Sequence, residues 1–220
     1  MKFPQVIKLG LTEKGVRKRC VFTYPDSQLL LALNYFSSMD RACDSLTKLE
    51  VLTGVPVDRN YGLIFSTEYS FRGRYYGNNL IQYSIISPNY PGTSTVLVHE
   101  IVHSLFEEAN FPNWLNEGLA DYYSYSVFHK KFKKTGYLSG LDLWVDYDNS
   151  DFYDSAQTVV SNFAEKYGDD NLRKLTKYFI DNPLHSSFGV NNVHIIDKMQ
   201  EITGDSDLNS VEYLANLYSK

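Results

Sequence analysis

Apolar residues fall in strand-like runs and one long helical stripe in the first part of the chain, and recur at helical spacing in the rest. Residues 16–24, with Val21 and Phe22 near their centre, read as a strand. From Ser27, an N-cap residue, Leu29, Leu30, Leu33, Phe36, Met39, Leu46 and Leu49 recur at helical spacing through about Leu52. Gly54 and Pro56 end that helix. Residues 61–67 and 72–87 read as strands, with turn signals at Gly73 and at Gly77-Asn78-Asn79. The run 80–86 is β-branched and aromatic enough for a sheet strand. After Pro91-Gly92 the period changes. Thr93 or Ser94 caps a helix to about Ala109, Phe111-Pro112-Asn113 breaks it, and 114–127 form a second helix. Residues 130–151 are polar and irregular, and helices follow near 153–167, 170–181, 193–203 and 207–218. Strands with one helix, then helices alone, predict an α+β protein. A single domain over 1–220 is expected, with a β-containing upper lobe over 1–109 and a helical lower lobe over 110–220.

Composition narrows the class. With 43% hydrophobic and 21% charged residues the chain is an ordinary globular one. A net charge of −5 argues against a nucleic-acid surface, and no apolar run reaches membrane-span length. Cys20 and Cys43 lack neighbours at metal-ligand spacing and read as buried free thiols, with a single disulfide as the other option. The chain has no Asn-x-Ser/Thr sequon. A cytoplasmic location is expected if Met1 is native, and a secreted or cell-envelope one if a signal peptide was trimmed ahead of it.

Of only five histidines, two carry a chemical signal. His99-Glu100-Ile101-Val102-His103 places both imidazoles on one helical face, where their ring nitrogens can bind Zn²⁺. Glu100 is rotated by about 100° from His99, so it does not join them as a ligand. It can reach a water at the metal, the position of a general base. The flanking apolar residues bury this helix. A catalytic zinc site needs a third protein ligand and one open position. The next helix reads Asn113-Trp114-Leu115-Asn116-Glu117-Gly118-Leu119-Ala120-Asp121. Glu117 follows the Pro112 break, so the chain can fold back, and small Gly118 and Ala120 allow close helix approach. Asp121 lies on the face of Glu117, where a carboxylate can accept the second N–H of a ligand imidazole and fix its tautomer.

His99-Glu100-x-x-His103 followed by Asn116-Glu117-Gly118-x-Ala120-Asp121 resembles the gluzincin zinc metallopeptidases, the clan of thermolysin and the aminopeptidase N group. The form from Trp114 to Ala120 looks most like the aminopeptidase N side and the small peptidase-MA-like proteins. The resemblance covers 95–122. It implies a zincin-like fold: a mixed sheet with a backing helix, an active-site helix and a lower helical lobe. It also implies one zinc per chain on His99, His103 and Glu117, with Glu100 as general base and Asp121 behind the ligands. Two departures stand out. The interval from His103 to Glu117 is shorter than in the aminopeptidase N group, and the Gly-x-Met-Glu-Asn segment that binds a substrate's free amine there is absent. Aminopeptidase activity is therefore not implied.

In this clan a later Tyr or His stabilises the oxyanion. Tyr153, opening a helix as Tyr153-Asp154-Ser155-Ala156, is the first candidate; His185, four residues after Asp181, is the alternative. His129 and His194 read as surface or structural. Gluzincins hold extended substrates against an edge strand, and Asn79, Leu80, Ile81, Gln82 and Tyr83 are the expected strand. Tyr75, Tyr76, Tyr83, Tyr122 and Tyr123 are candidate groove residues. The expected partner is a peptide or protein substrate, cleaved by a zinc-activated water. The rival expectation is a catalytically silent or latent zinc-binding domain with a regulatory or peptide-binding role.

Overall fold

A computed structural model describes residues 5–9, 20–57, 60–66, 73–84, 93–132, 134–135, 150–184 and 190–218. The chain divides into two compact units, 1–51 with 55–105 and 52–54 with 106–220.

The first unit contains a five-stranded mixed sheet in the order β1-β2-β3-β5-β4. Its strands are β1 (Gln5–Leu9), β2 (Cys20–Tyr24), β3 (Asn60–Ser66), β4 (Gly73–Tyr75) and β5 (Leu80–Ser84). The β2–β3 and β3–β5 pairs are parallel; β1–β2 and β4–β5 are antiparallel. Tyr61, Leu63 and Phe65 of β3 and Ile81 and Tyr83 of β5 are buried at alternate positions, as the period of a strand requires. β1 has no counterpart in the sequence reading, and residues 16–19 lie outside the described residues.

The helix expected from Ser27 is broken into a short 3-10 turn at Asp26–Gln28, α1 (Leu29–Asn34) and α2 (Phe36–Thr53). Two residues account for this. Gln28 spends its amide on β3: it donates to the Phe65 carbonyl at 2.7 Å and accepts from the Phe65 N–H at 2.9 Å. Tyr35, between the helices, turns its ring into the core, stacked on Phe65 at 5.3 Å and edge-on to Tyr83 at 5.3 Å. The predicted apolar face therefore starts late. Leu29, Leu30, Leu33 and Phe36 are exposed, whereas Met39, Ala42, Leu46 and Leu49 are buried. Cys43 on α2 is disulfide-bonded, which corrects the expectation of free thiols. The unit also holds nearly all of α3 (Thr93–Phe106).

The second unit is helical: α4 (Asn113–Val127), α5 (Ser150–Tyr167), α6 (Asp169–Asp181), α7 (Val190–Thr203) and α8 (Val211–Ala215). α3 stops at Phe106, short of Ala109. A 3-10 turn covers Glu107–Ala109, Asn110 is left-handed (φ 53°), and Pro112 is the N-cap residue of α4. α4 is buried almost all round, from Trp114 to Val127. Trp114 donates its indole N–H to Asn192 at 2.8 Å, as a buried indole must find an acceptor. Asn162 of α5 donates to the Leu214 and Ala215 carbonyls at 2.8 and 3.3 Å, satisfying the end of α8. At the surface Asp205 accepts from Lys166 at 2.8 Å and from Tyr167 at 2.7 Å. These bonds, Lys166's first, hold its carboxyl down at about 2. Among the described residues no helix is long and apolar enough to cross a membrane.

Candidate metal centre

Burial of α3 is set by Leu97, Val98, Ile101, Val102 and Leu105, all within its middle turns. Val96, His99 and His103 form the stripe that those residues leave. The two imidazoles meet with ring planes 82° apart, and their Nε2 atoms are 3.0 Å from each other. The four-residue spacing thus converges the same nitrogen of both rings on one point.

Among the described residues, the ligand atoms of His99, His103 and Glu117 all lie within 4.8 Å of one another. Two imidazoles and one carboxylate are the donor set of a catalytic zinc site with a fourth position left open. Bonds of about 2.0–2.1 Å in tetrahedral array put two ligand nitrogens roughly 3.3 Å apart. The 3.0 Å between the Nε2 atoms is close to that, so the residues fit a zinc ion. Glu117 is 8% exposed. A carboxylate so buried needs a cation or hydrogen-bond donors to offset its lost hydration.

Glu100, at 4% exposure, lies under β4. A Cβ built on Gly73 would stand 2.6 Å from its Oε1, 2.9 Å from its Cγ and 2.8 Å from Val96 Cγ1. In the sequence Gly73 is a turn signal. It is the first residue of β4, paired with Tyr83, and a glycine in a strand is also a signal of close approach.

On α4, Asp121 lies one turn beyond Glu117 and is half-buried. Gly118 is crossed by α5: a Cβ there would be 2.5 Å from the Ala156 carbonyl oxygen and 2.7 Å from Val160 Cγ2. Tyr153 sits in the first turn of α5, three residues before Ala156, with its ring edge-on to Phe152 at 5.7 Å. His185 lies outside the described residues. His129 and His194 are exposed.

The expected substrate strand is corrected by the sheet. β5 pairs with β3 on one side and β4 on the other, so the backbone of Leu80, Ile81, Gln82 and Tyr83 is already committed. Asn79 gives its carbonyl to the Gly62 N–H at 2.9 Å. The edges among the described strands are β1 and β4. Three of the candidate groove tyrosines are core residues: Tyr83, Tyr122 and Tyr123. Tyr122 donates its hydroxyl to Asp169 at 2.5 Å, and burial, then that bond, pushes its pKa far up. The Tyr75 hydroxyl accepts from the Asn79 N–H at 3.1 Å, and Tyr76 donates to Gln82 at 2.6 Å.

No family model and no curated protein matches this sequence. Solved structures do. The chain is similar to the M1 zinc metallopeptidase from Deinococcus radiodurans, with a TM-score of 0.57 and 12% identity over 96% of this chain and 50% of that one. A mutant of that enzyme gives a TM-score of 0.53 and 12% identity over 99% of this chain and 51% of the other. The chain thus spans about half the length of the structures it resembles. At this identity the likeness is one of fold, and the fold is α+β and zincin-like.

Proposed function

We propose that the chain is a zinc-dependent peptidase of gluzincin type. The convergence of His99, His103 and Glu117 beside a buried Glu100 carries this reading. His99, His103 and Glu117 would hold the ion, and Asp121 would fix the tautomer of a ligand imidazole. Zinc there supplies a Lewis acid and lowers the pKa of water. Glu100 accepts a proton from the attacking water and passes it to the leaving amine. Tyr153 donates its hydroxyl to the oxyanion that develops on the scissile carbonyl. With β5 committed, β4 is the strand edge on which an extended peptide would pair.

The test couples metal analysis to a peptide-library cleavage profile. Glu100→Gln is expected to keep zinc and lose about 10²–10⁴-fold in turnover. Cleavage by that variant at the wild-type rate would sink the mechanism. Zinc bound by a wild type that cleaves neither the library nor an unfolded protein would favour the silent zinc-binding domain.

The disulfide at Cys43 supports an oxidising compartment, and so a secreted or cell-envelope protein over a cytoplasmic one. Alkylation of acid-quenched cells followed by intact mass tests this. A chain recovered with both cysteines alkylated without prior reduction would overturn it.

A further inference from the structure

We infer that Gly73 is a positioning residue: its missing side chain sets where the Glu100 carboxylate stands. The inference rests on the peptidase reading only for the effect on turnover; the contact itself is a matter of packing.

Gly73 does not have a left-handed backbone, so its glycine is not required by conformation. Space requires it. A Cβ would stand 2.6 Å from Glu100 Oε1, where ordinary contact begins at 3.4 Å. Three groups could give way. The strand is anchored, because Gly73, Arg74 and Tyr75 pair with Tyr83, Gln82 and Ile81, and the Tyr83 ring is locked against Tyr35 and Phe65. Val96 is β-branched and on a helix, so its χ1 is held to one well. The Glu100 side chain has the remaining freedom. Relieving the Oε1 contact through the Glu100 side chain alone moves the carboxylate by 3.4 − 2.6 = 0.8 Å or more. Displacements near 1 Å at a reacting group cost on the order of 10²-fold in rate. The Val96 contact, at 2.8 Å, is not relieved by a Glu100 movement, so zinc content is read beside kcat to separate a displaced carboxylate from displaced imidazoles on the stripe of Val96, His99 and His103.

The experiment is Gly73→Ala, with two readouts. Per zinc-loaded molecule, kcat is expected to fall about 10–100-fold while KM stays within about threefold and zinc content equals the wild type's. Separately, a double-mutant cycle on thermal stability needs no activity. Gly73→Ala is expected to lower Tm in the wild-type background and to lower it less beside Glu100→Ala, where the clashing Cγ and Oε1 are gone. If Gly73→Ala alone does not fold, the cycle is run with Val96→Ala present, which removes the other close contact. Wild-type kcat in Gly73→Ala overturns the inference. So does loss of zinc in step with kcat, or an equal Tm cost in both backgrounds. A wild type that cleaves no peptide defeats the proposed function instead, and the cycle still decides the contact.

Discussion

Each unit carries a glycine where a side chain would not fit, but what the glycine faces differs. In the first unit Gly73 faces two side chains, the flexible Glu100 and the stiffer Val96. In the second, Gly118 faces a helix backbone, the Ala156 carbonyl. A side chain can swing aside and lose its aim; a helix axis can only be pushed away. The same substitution should thus cost turnover as well as stability in one unit, and stability first in the other. Glu117 sits beside Gly118 on a helix buried almost all round, so its position is held by bulk packing. Glu100 is held by a local fit under a strand of three residues.

The largest expected effect breaks the site itself. His103→Ala should lose both zinc and turnover; full zinc content by elemental analysis would remove His103 from the ligand set. Next is Tyr153→Phe, which should cost about 10²–10³-fold in kcat with zinc retained. Unchanged kcat would pass the role of oxyanion donor to another group. Gly118→Ala sharpens the contrast between the units most directly. It should lower the stability measured by urea unfolding by up to about 2 kcal/mol, an overpacking cost of about 1–3 kcal/mol less the helix-propensity gain of about 1 kcal/mol. A stabilised Gly118→Ala would mean that the α4–α5 crossing yields, and the contrast with Gly73 would collapse.

The smallest effect is at the surface of the second unit. The Asp205 carboxyl lies at about 2, below its ordinary value, because Lys166 and Tyr167 donate to it. Its stabilising contribution is therefore complete above about pH 4 and is lost as pH falls through about 2. Asp205→Asn should melt below the wild type at neutral pH, and the two curves should converge near pH 2. Curves that stay parallel across that range would show that the charge is irrelevant there.

The second unit was the more legible in sequence. Its helices follow a 3.6-residue period with clear breaks at Gly168, Asn182-Pro183 and Gly204. The shared face of His99 and His103 was legible for the same reason, because four-residue spacing on a helix fixes it whatever packs around it. The sheet was harder. Nothing local in Leu80–Ser84 says that β4 pairs outside it, since strand order is a long-range property. The break at Tyr35 was hidden too: Leu29, Leu30 and Leu33 look like a core stripe until Gln28 is seen tied to Phe65. Gly73 was misread because glycine marks turns and close approaches alike.

The strand order has a consequence for solubility. Open strand edges invite other chains to pair and aggregate. Among the described residues β4 offers three, about 10 Å of ladder at roughly 3.4 Å per residue, with exposed Arg74 at its centre. Such an edge can grip a short extended segment at one register. It is too brief, and too charged in the middle, to seed a growing sheet of identical copies.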